Sequence, residues 1–181
     1  MLETDRLILR PFNKNDVDSV FAMRSDADVM RFIREPQASR DEAESWINLI
    51  SSRWETEKIG FYAVIEKSSN QFIGWCGLWR LKETDEIEVG YALVKDCRGK
   101  GFAVEAAGAV LTYGFEELKL EEIVAVARPE NRASWRVMER LGMTYDYTGK
   151  FYERDLVHYS ITKKEFFQRK DAKVQRRKVE F

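Results

Sequence analysis

Apolar and polar positions change their spacing several times along this 181-residue chain, and each change marks an element. The apolar run inside Arg6–Pro11 ends at a proline and predicts a short strand. Val17, Val20, Phe21 and Arg24 recur at i, i+3, i+4 and i+7, so Asn13–Arg24 predicts a helix capped by Asn13 or Asn15. Ser39 followed by Glu42 has capping-box spacing and opens a helix through Trp46, Ile47, Ile50 and Trp54 that closes near Gly60. Phe61–Glu66 and Phe72–Leu81 flank a short polar turn and predict an antiparallel hairpin, with Glu86–Val94 as the next strand. A 3.6-residue repeat then runs from Gly101 to Leu118, ahead of the β-branched strand Ile123–Ala127. Strand, glycine-containing turn, helix and strand between Glu86 and Ala127 make one βαβ crossover. Asn131–Leu141 predicts a helix with Gly142 as its C′ residue, and Met143–Gly149 with Phe151–Thr162 a closing hairpin. The polar segment beyond Phe167 is expected to be frayed or helical.

Hairpins first, one βαβ unit in the middle and a final hairpin describe an α+β protein with a mixed, mostly antiparallel sheet, not a doubly wound one. At 44% hydrophobic residues the chain can bury a core, and its length predicts one domain over residues 1–167, followed by a basic tail over 168–181. No apolar stretch is long enough for a membrane span and the N-terminus lacks signal-peptide character, so a cytoplasmic location is expected. Two cysteines and one histidine disfavour a disulfide framework or a His/Cys metal centre, and no metal site is expected. The formal charge of −1 hides an asymmetry: Lys163–Phe181 holds 8 basic and 3 acidic residues, leaving 22 basic against 28 acidic in residues 1–162. A mixed-charge terminus is usually solvated, so nucleic acid is not an expected partner, although the tail keeps a ribosome- or RNA-associated role open.

The chemistry concentrates in Leu93-Val-Lys-Asp-Cys-Arg-Gly-Lys-Gly-Phe-Ala-Val-Glu105, between a strand and a helix. Gly99 and Gly101 allow close backbone approach, the helix start offers free N–H groups, and Arg98 and Lys100 add positive charge. This is an anion site built mainly from backbone. The Walker A pattern is absent, and the Rossmann pattern fails at Val104. On the glycines alone, an ordinary strand-to-helix turn explains the loop as well.

Three blocks add a resemblance. Arg98-x-x-Gly101-x-Ala103 is similar to the cofactor signature of the GCN5-related N-acetyltransferases (GNAT). Asn131-Arg-Ala-Ser134-x-Arg-Val-Met-Glu-Arg-Leu-Gly-Met143 and the opening Leu2-Glu-Thr-Asp-Arg-Leu-x-Leu-Arg-Pro11 resemble the RimJ/RimL-like branch, the ribosomal-protein N-terminal acetyltransferases. The resemblance covers roughly residues 2–165. It implies a GNAT fold of about seven strands, with helices on both faces of the sheet, and acetyl transfer from acetyl-CoA to a primary amine: a protein N-terminus, a polyamine or a small molecule. A GNAT fold that binds CoA without turnover is the alternative, and a homodimer is left open.

Carried across residue by residue, the resemblance implies that Arg98, Gly99, Lys100, Gly101, Phe102 and Ala103 hold the pyrophosphate. Leu93 and Val94 would pair with the pantetheine arm, and Asn131 and Ser134 would hydrogen-bond the pantetheine or its thiol end. Asn131 fits a helix N-cap equally well. An ammonium must lose a proton before it attacks, so a base is required. Glu88 is the candidate, with Glu86 and Glu105 as rivals and an outward-facing strand residue as its plain reading. Many GNAT enzymes carry a tyrosine acid seven residues after the motif asparagine. Met138 occupies that position here, which leaves Ser134 or water to assist the leaving sulfur. His158 and Cys97 read as structural, and Trp46 and Trp54 fall where the family builds its acceptor site. Ser25–Lys58, with 8 acids and 5 bases in that same region, would favour a cationic amine.

Overall fold

Strands β1 (Leu2–Glu3) and β2 (Leu7–Arg10) open the chain in a computed structural model that describes residues 1–179. The fold divides into two compact units, Met1–Trp79 with Val89–Val110, and Arg80–Glu88 with the chain from Leu111 onward.

In the first unit β1, β2, β3 (Phe61–Glu66) and β4 (Gln71–Arg80) pair antiparallel in chain order, and β5 (Ile87–Leu93) lies beside β4. The β3/β4 register slips at Val64/Ile65, and Ile73, the unpaired residue of β4, accepts the Val94 N–H through its carbonyl at 3.0 Å. Helices α1 (Val17–Ser25), α2 (Ala27–Met30) and α3 (Arg40–Glu57) supply the other wall of the core. Met23, Met30, Ile47, Ile50 and Trp75 are buried there. The expected helix over Asn13–Arg24 begins instead as a 3-10 turn at Lys14–Asp16, because Asp16 returns its carboxylate to the Asn13 N–H at 2.8 Å and pairs with Arg10. Asp26 then breaks the helix and caps α2, accepting from the Asp28 and Val29 amides. Ser39 caps α3 through the Glu42 N–H as its spacing predicts. Lys58 ends that helix in the left-handed region, two residues before Gly60.

In the second unit the start of β5 runs parallel to β6 (Glu122–Ala127) at Glu88↔Val124, which completes the expected βαβ order around α4 (Phe102–Glu116). β6 pairs antiparallel with β8 (Arg154–Thr162), and β8 with β7 (Thr144–Phe151). Among the described residues the count is eight strands against about seven expected, since the sequence opening holds two short strands joined at Thr4, whose N–H and hydroxyl both contact the Leu7 carbonyl. Helix α5 (Arg132–Leu141) ends at Gly142, φ +96°, whose N–H reaches the carbonyls of Met138 and Glu139. From Lys163 the chain is helical as α6 (Lys163–Val179), which includes the described part of the tail; Phe166 lies 5.4 Å from Phe115 between ring centroids, and Arg169 of the tail donates to the Glu139 carbonyl. Glu180 and Phe181 of that tail lie outside the described residues. No helix among the described residues is long and apolar enough to cross a membrane.

Gly74 controls how closely β4 and β5 approach. Its φ is +152°, and a Cβ there would stand 2.1 Å from the Ala92 carbonyl oxygen. Gly74→Ala is therefore expected to lower unfolding stability by roughly 1–3 kcal/mol, the usual cost of overpacking. A urea titration that superimposes on the wild type would contradict this.

Candidate active site

The first part of the site is the turn that feeds α4. Glu105 makes the first helical hydrogen bond, from its N–H to the Gly101 carbonyl at 3.1 Å. The amides of Phe102, Ala103 and Val104 precede it and have no acceptor within the helix. Gly99 (φ +76°) and Gly101 (φ +84°) turn the backbone through the left-handed region, and a Cβ on Gly99 would meet nothing within 4 Å. Side chains hold this shape. Arg98 donates from Nε to the Leu93 carbonyl at 3.1 Å and from a terminal nitrogen to the Asp28 carbonyl at 3.4 Å, which closes the loop on itself and ties it to α2. Lys95 pairs with the Asp28 carboxylate at 3.0 Å. Arg6 donates to the Lys100 carbonyl and to Glu105, whose carboxylate also accepts from the Thr4 hydroxyl and the Arg6 N–H. Burial is the largest influence on Glu105 and pushes its carboxyl up. The bonds from Thr4 and Arg6 together outweigh that and hold it below its ordinary value. A turn of unpaired amides with open space over Gly99 fits a pyrophosphate.

Leu93, Val94 and Arg98–Ala103 thus share one loop of the first unit, whereas Glu88, Asn131 and Ser134 belong to the second. Glu88 does not face outward: it is 8% exposed. Its carboxylate accepts a hydrogen bond from the Tyr152 hydroxyl. Burial pushes its pKa up to about 7, the Tyr152 hydrogen bond pulls it back, and the nearby charge of Glu83 adds to the rise. Sequence reasoning missed Tyr152. It sits 64 residues from Glu88 at the β7–β8 tip, where Tyr152 (φ 51°) and Glu153 (φ 61°) form the two-residue turn. Neither residue carries the Asn-Gly signature of such turns. The left-handed cost of about 1–2 kcal/mol per residue is offset by carboxylates, since Glu83 accepts the Tyr152 N–H at 2.6 Å. Burial, reinforced by the Glu88 charge, pushes the Tyr152 hydroxyl far above its ordinary value, so it acts as a hydrogen-bond donor.

The rival carboxylates have other partners. Glu86 lies 3.4 Å from His158 Nε2, and Asp146, the bulged residue of β7, lies 3.0 Å from His158 Nδ1. The buried imidazole stacks on Tyr147 at 4.6 Å, which fits the structural reading of His158. Asn131 is the N-cap of α5: its side-chain oxygen accepts the Ser134 N–H at 3.2 Å. Met138, where many GNAT enzymes place tyrosine, is fully buried. Among the described residues no group of His, Cys, Asp or Glu could hold a metal ion.

Residues 6–144 match the model of the acetyltransferase (GNAT) domain. An uncharacterized N-acetyltransferase of Bacillus subtilis, YnaD, is 32% identical over 142 residues, 78% of this chain and 81% of that protein. An uncharacterized N-acetyltransferase of Bacillus licheniformis, p20, is 30% identical over 173 residues, 91% of this chain and 97% of its own. Among solved structures, a GNAT-family acetyltransferase from Bacillus anthracis superposes with TM-score 0.77 at 30% identity, covering 91% of this chain and 99% of the other.

A carboxyl whose folded pKa is raised binds its proton more tightly in the folded state, so its contribution to stability falls as pH rises from about 4.5 to about 7. Between these limits the wild type is expected to lose up to about 3 kcal/mol relative to Glu88→Gln. Urea unfolding of both chains at the two ends of the window measures this. Parallel pH dependences would show that Glu88 ionises without penalty.

Proposed function

This chain belongs to the GNAT acetyltransferase family and is an acyl-CoA-dependent N-acetyltransferase, and from that premise we propose that Glu88 is the base that deprotonates a primary amine acceptor. The observation that carries the reading is a buried carboxyl held near neutrality on the strand that leads into the phosphate-binding turn. An ordinary glutamate is too acidic to take a proton from an ammonium efficiently near pH 7, and burial corrects the mismatch. Glu105 is a weaker candidate because Thr4 and Arg6 occupy its oxygens.

Acetyl-CoA supplies an activated acetyl thioester. In this reading the amides of Gly99 to Ala103 bind its pyrophosphate, with Arg98 and Lys100 adding charge, and Leu93 and Val94 offer backbone to the pantetheine. Arg98 works mainly by holding the turn, since its guanidinium bonds two backbone carbonyls. Asn131 caps α5 and orders Ser134, whose hydroxyl would donate to the leaving sulfur in place of the absent tyrosine. The acceptor is a protein N-terminus, a polyamine or a small-molecule amine, met in the cytoplasm. Residues 1–167 act as one catalytic domain, with 168–181 as a basic extension.

Gly101→Val forces a β-branched residue to φ +84° and is expected to abolish acetyl-CoA binding in calorimetry, with Arg98→Ala weakening it. Undiminished affinity in both variants would remove the turn from the cofactor site. Glu88→Gln should reduce kcat/KM by roughly 10²–10⁴ and erase the acidic limb of its pH profile near pH 7. Tyr152→Phe should move that limb upward, because the lost hydrogen bond favours the ionised carboxylate. A limb that stays in place in Glu88→Gln would assign the base elsewhere.

A further inference from the structure

One buried cation in the first unit has an unpartnered N–H. Arg24, on α1, is 3% exposed and its Nε has no hydrogen-bond partner. The carboxylate whose charge reaches it is that of Glu42. Its guanidinium lies over the Trp46 ring, 4.3 Å from the centroid. Burial is the main influence pulling its pKa down, to about 10, with repulsion from Arg34 adding and Glu42 partly offsetting, so it remains charged at neutral pH. Glu42 is itself engaged, accepting the Ala38 N–H.

Two further buried polar atoms nearby lack partners. Gln37, whose N–H bonds the Arg24 carbonyl at 2.8 Å, has an unpartnered side-chain oxygen. Trp75, whose ring centroid is 6.2 Å from that of Trp46, has an unpartnered Nε1. Arginine is rarely buried so fully unless it is paired. Stacking on an indole satisfies the face of a guanidinium but leaves its edge N–H groups without acceptors. A water molecule would satisfy a hydrogen bond here but leave Arg24 and Arg34 opposed by Glu42 alone; a carboxylate supplies both an acceptor and a second negative charge. Beside the cation, Trp46, Phe61 and Trp79 form a half-buried stack, with successive centroids 6.1 and 5.4 Å apart.

We propose that Arg24 receives a carboxylate of the acetyl acceptor, so that the substrate is an amine that also carries a carboxylate and lays its apolar part against the Trp46–Phe61–Trp79 stack. The proposal rests on the acetyltransfer reading and narrows its acceptor class. The acidic character of Ser25–Lys58, which by itself favours purely cationic amines, is overridden locally by Arg24 and Arg34.

The test measures kcat/KM for matched sets: a free amino acid, its amide and its decarboxylated amine, with an acidic-side-chain dipeptide amide to separate an α-carboxylate from a side-chain one. The wild type should favour the carboxylate-bearing members by about 10–100-fold, the range of one charge-assisted hydrogen bond. Arg24→Met should erase that preference while leaving the decarboxylated amine within about threefold, and Arg24→Lys should restore part of it. Calorimetry with acetyl-CoA shows whether each variant is folded. Tryptophan fluorescence titrated with the amino acid reads the site without turnover through Trp46. Carboxylate-dependent quenching that vanishes in Arg24→Met supports the site even if no acetylation occurs, which would sink the reaction and not the anion site. Turnover of decarboxylated amines with no carboxylate preference overturns this proposal and leaves the acetyltransferase reading intact.

Discussion

The first unit is organised around keeping a row of backbone amides unpaired, and the Glu105 carboxylate makes that sustainable. Sitting in the first turn of α4, it gathers the Thr4 hydroxyl, the Arg6 N–H and the Arg6 guanidinium, and so fastens the start of β2 to the start of the helix. Arg6 extends the same clamp to the Lys100 carbonyl and rests on the Phe102 ring, 4.5 Å from its centroid. Without these bonds, a turn with two left-handed glycines and no ladder partners would have little to hold one conformation. Preorganised donors then need no rearrangement to meet an anion, which is where their energetic value lies.

Buried charge is handled in contrasting ways in the two units. In the second, Glu88 is desolvated and receives one neutral donor, Tyr152, so its carboxyl settles near neutrality and can exchange a proton at physiological pH. His158, equally buried, is given two carboxylates and two aromatic faces, an arrangement that fixes an imidazole in place. In the first unit Arg24 receives an aromatic face and no acceptor for its Nε–H, with Glu42 offsetting its charge in part. A satisfied group stabilises the fold, while a desolvated or unpartnered one raises its energy.

How much of this was legible in the sequence follows from how local each cause is. The Ser39 cap, the Gly142 terminus, the βαβ order and the two-glycine turn before α4 all depend on residues a few positions apart, and the one-dimensional pattern carries them. The break of the first helix at Asp26 is local too, but several polar residues there compete as caps and only the backbone geometry selects one. Tyr152 escaped notice because nothing in Phe151–Arg154 announces a tight turn of two non-glycine residues.

The sequence by itself determined the family, the α+β order of elements and the glycine-containing turn that opens α4, because each is written in contiguous spacing. Only the tertiary structure decided the state of individual charges. Glu88 could as well have faced water, and Arg24 reads in the sequence as one more position in an amphipathic repeat. The free energy of a charge is set by what surrounds it in space. For Glu88 that means a tyrosine 64 residues away, and for Arg24 an indole on another helix and an Nε–H left without an acceptor.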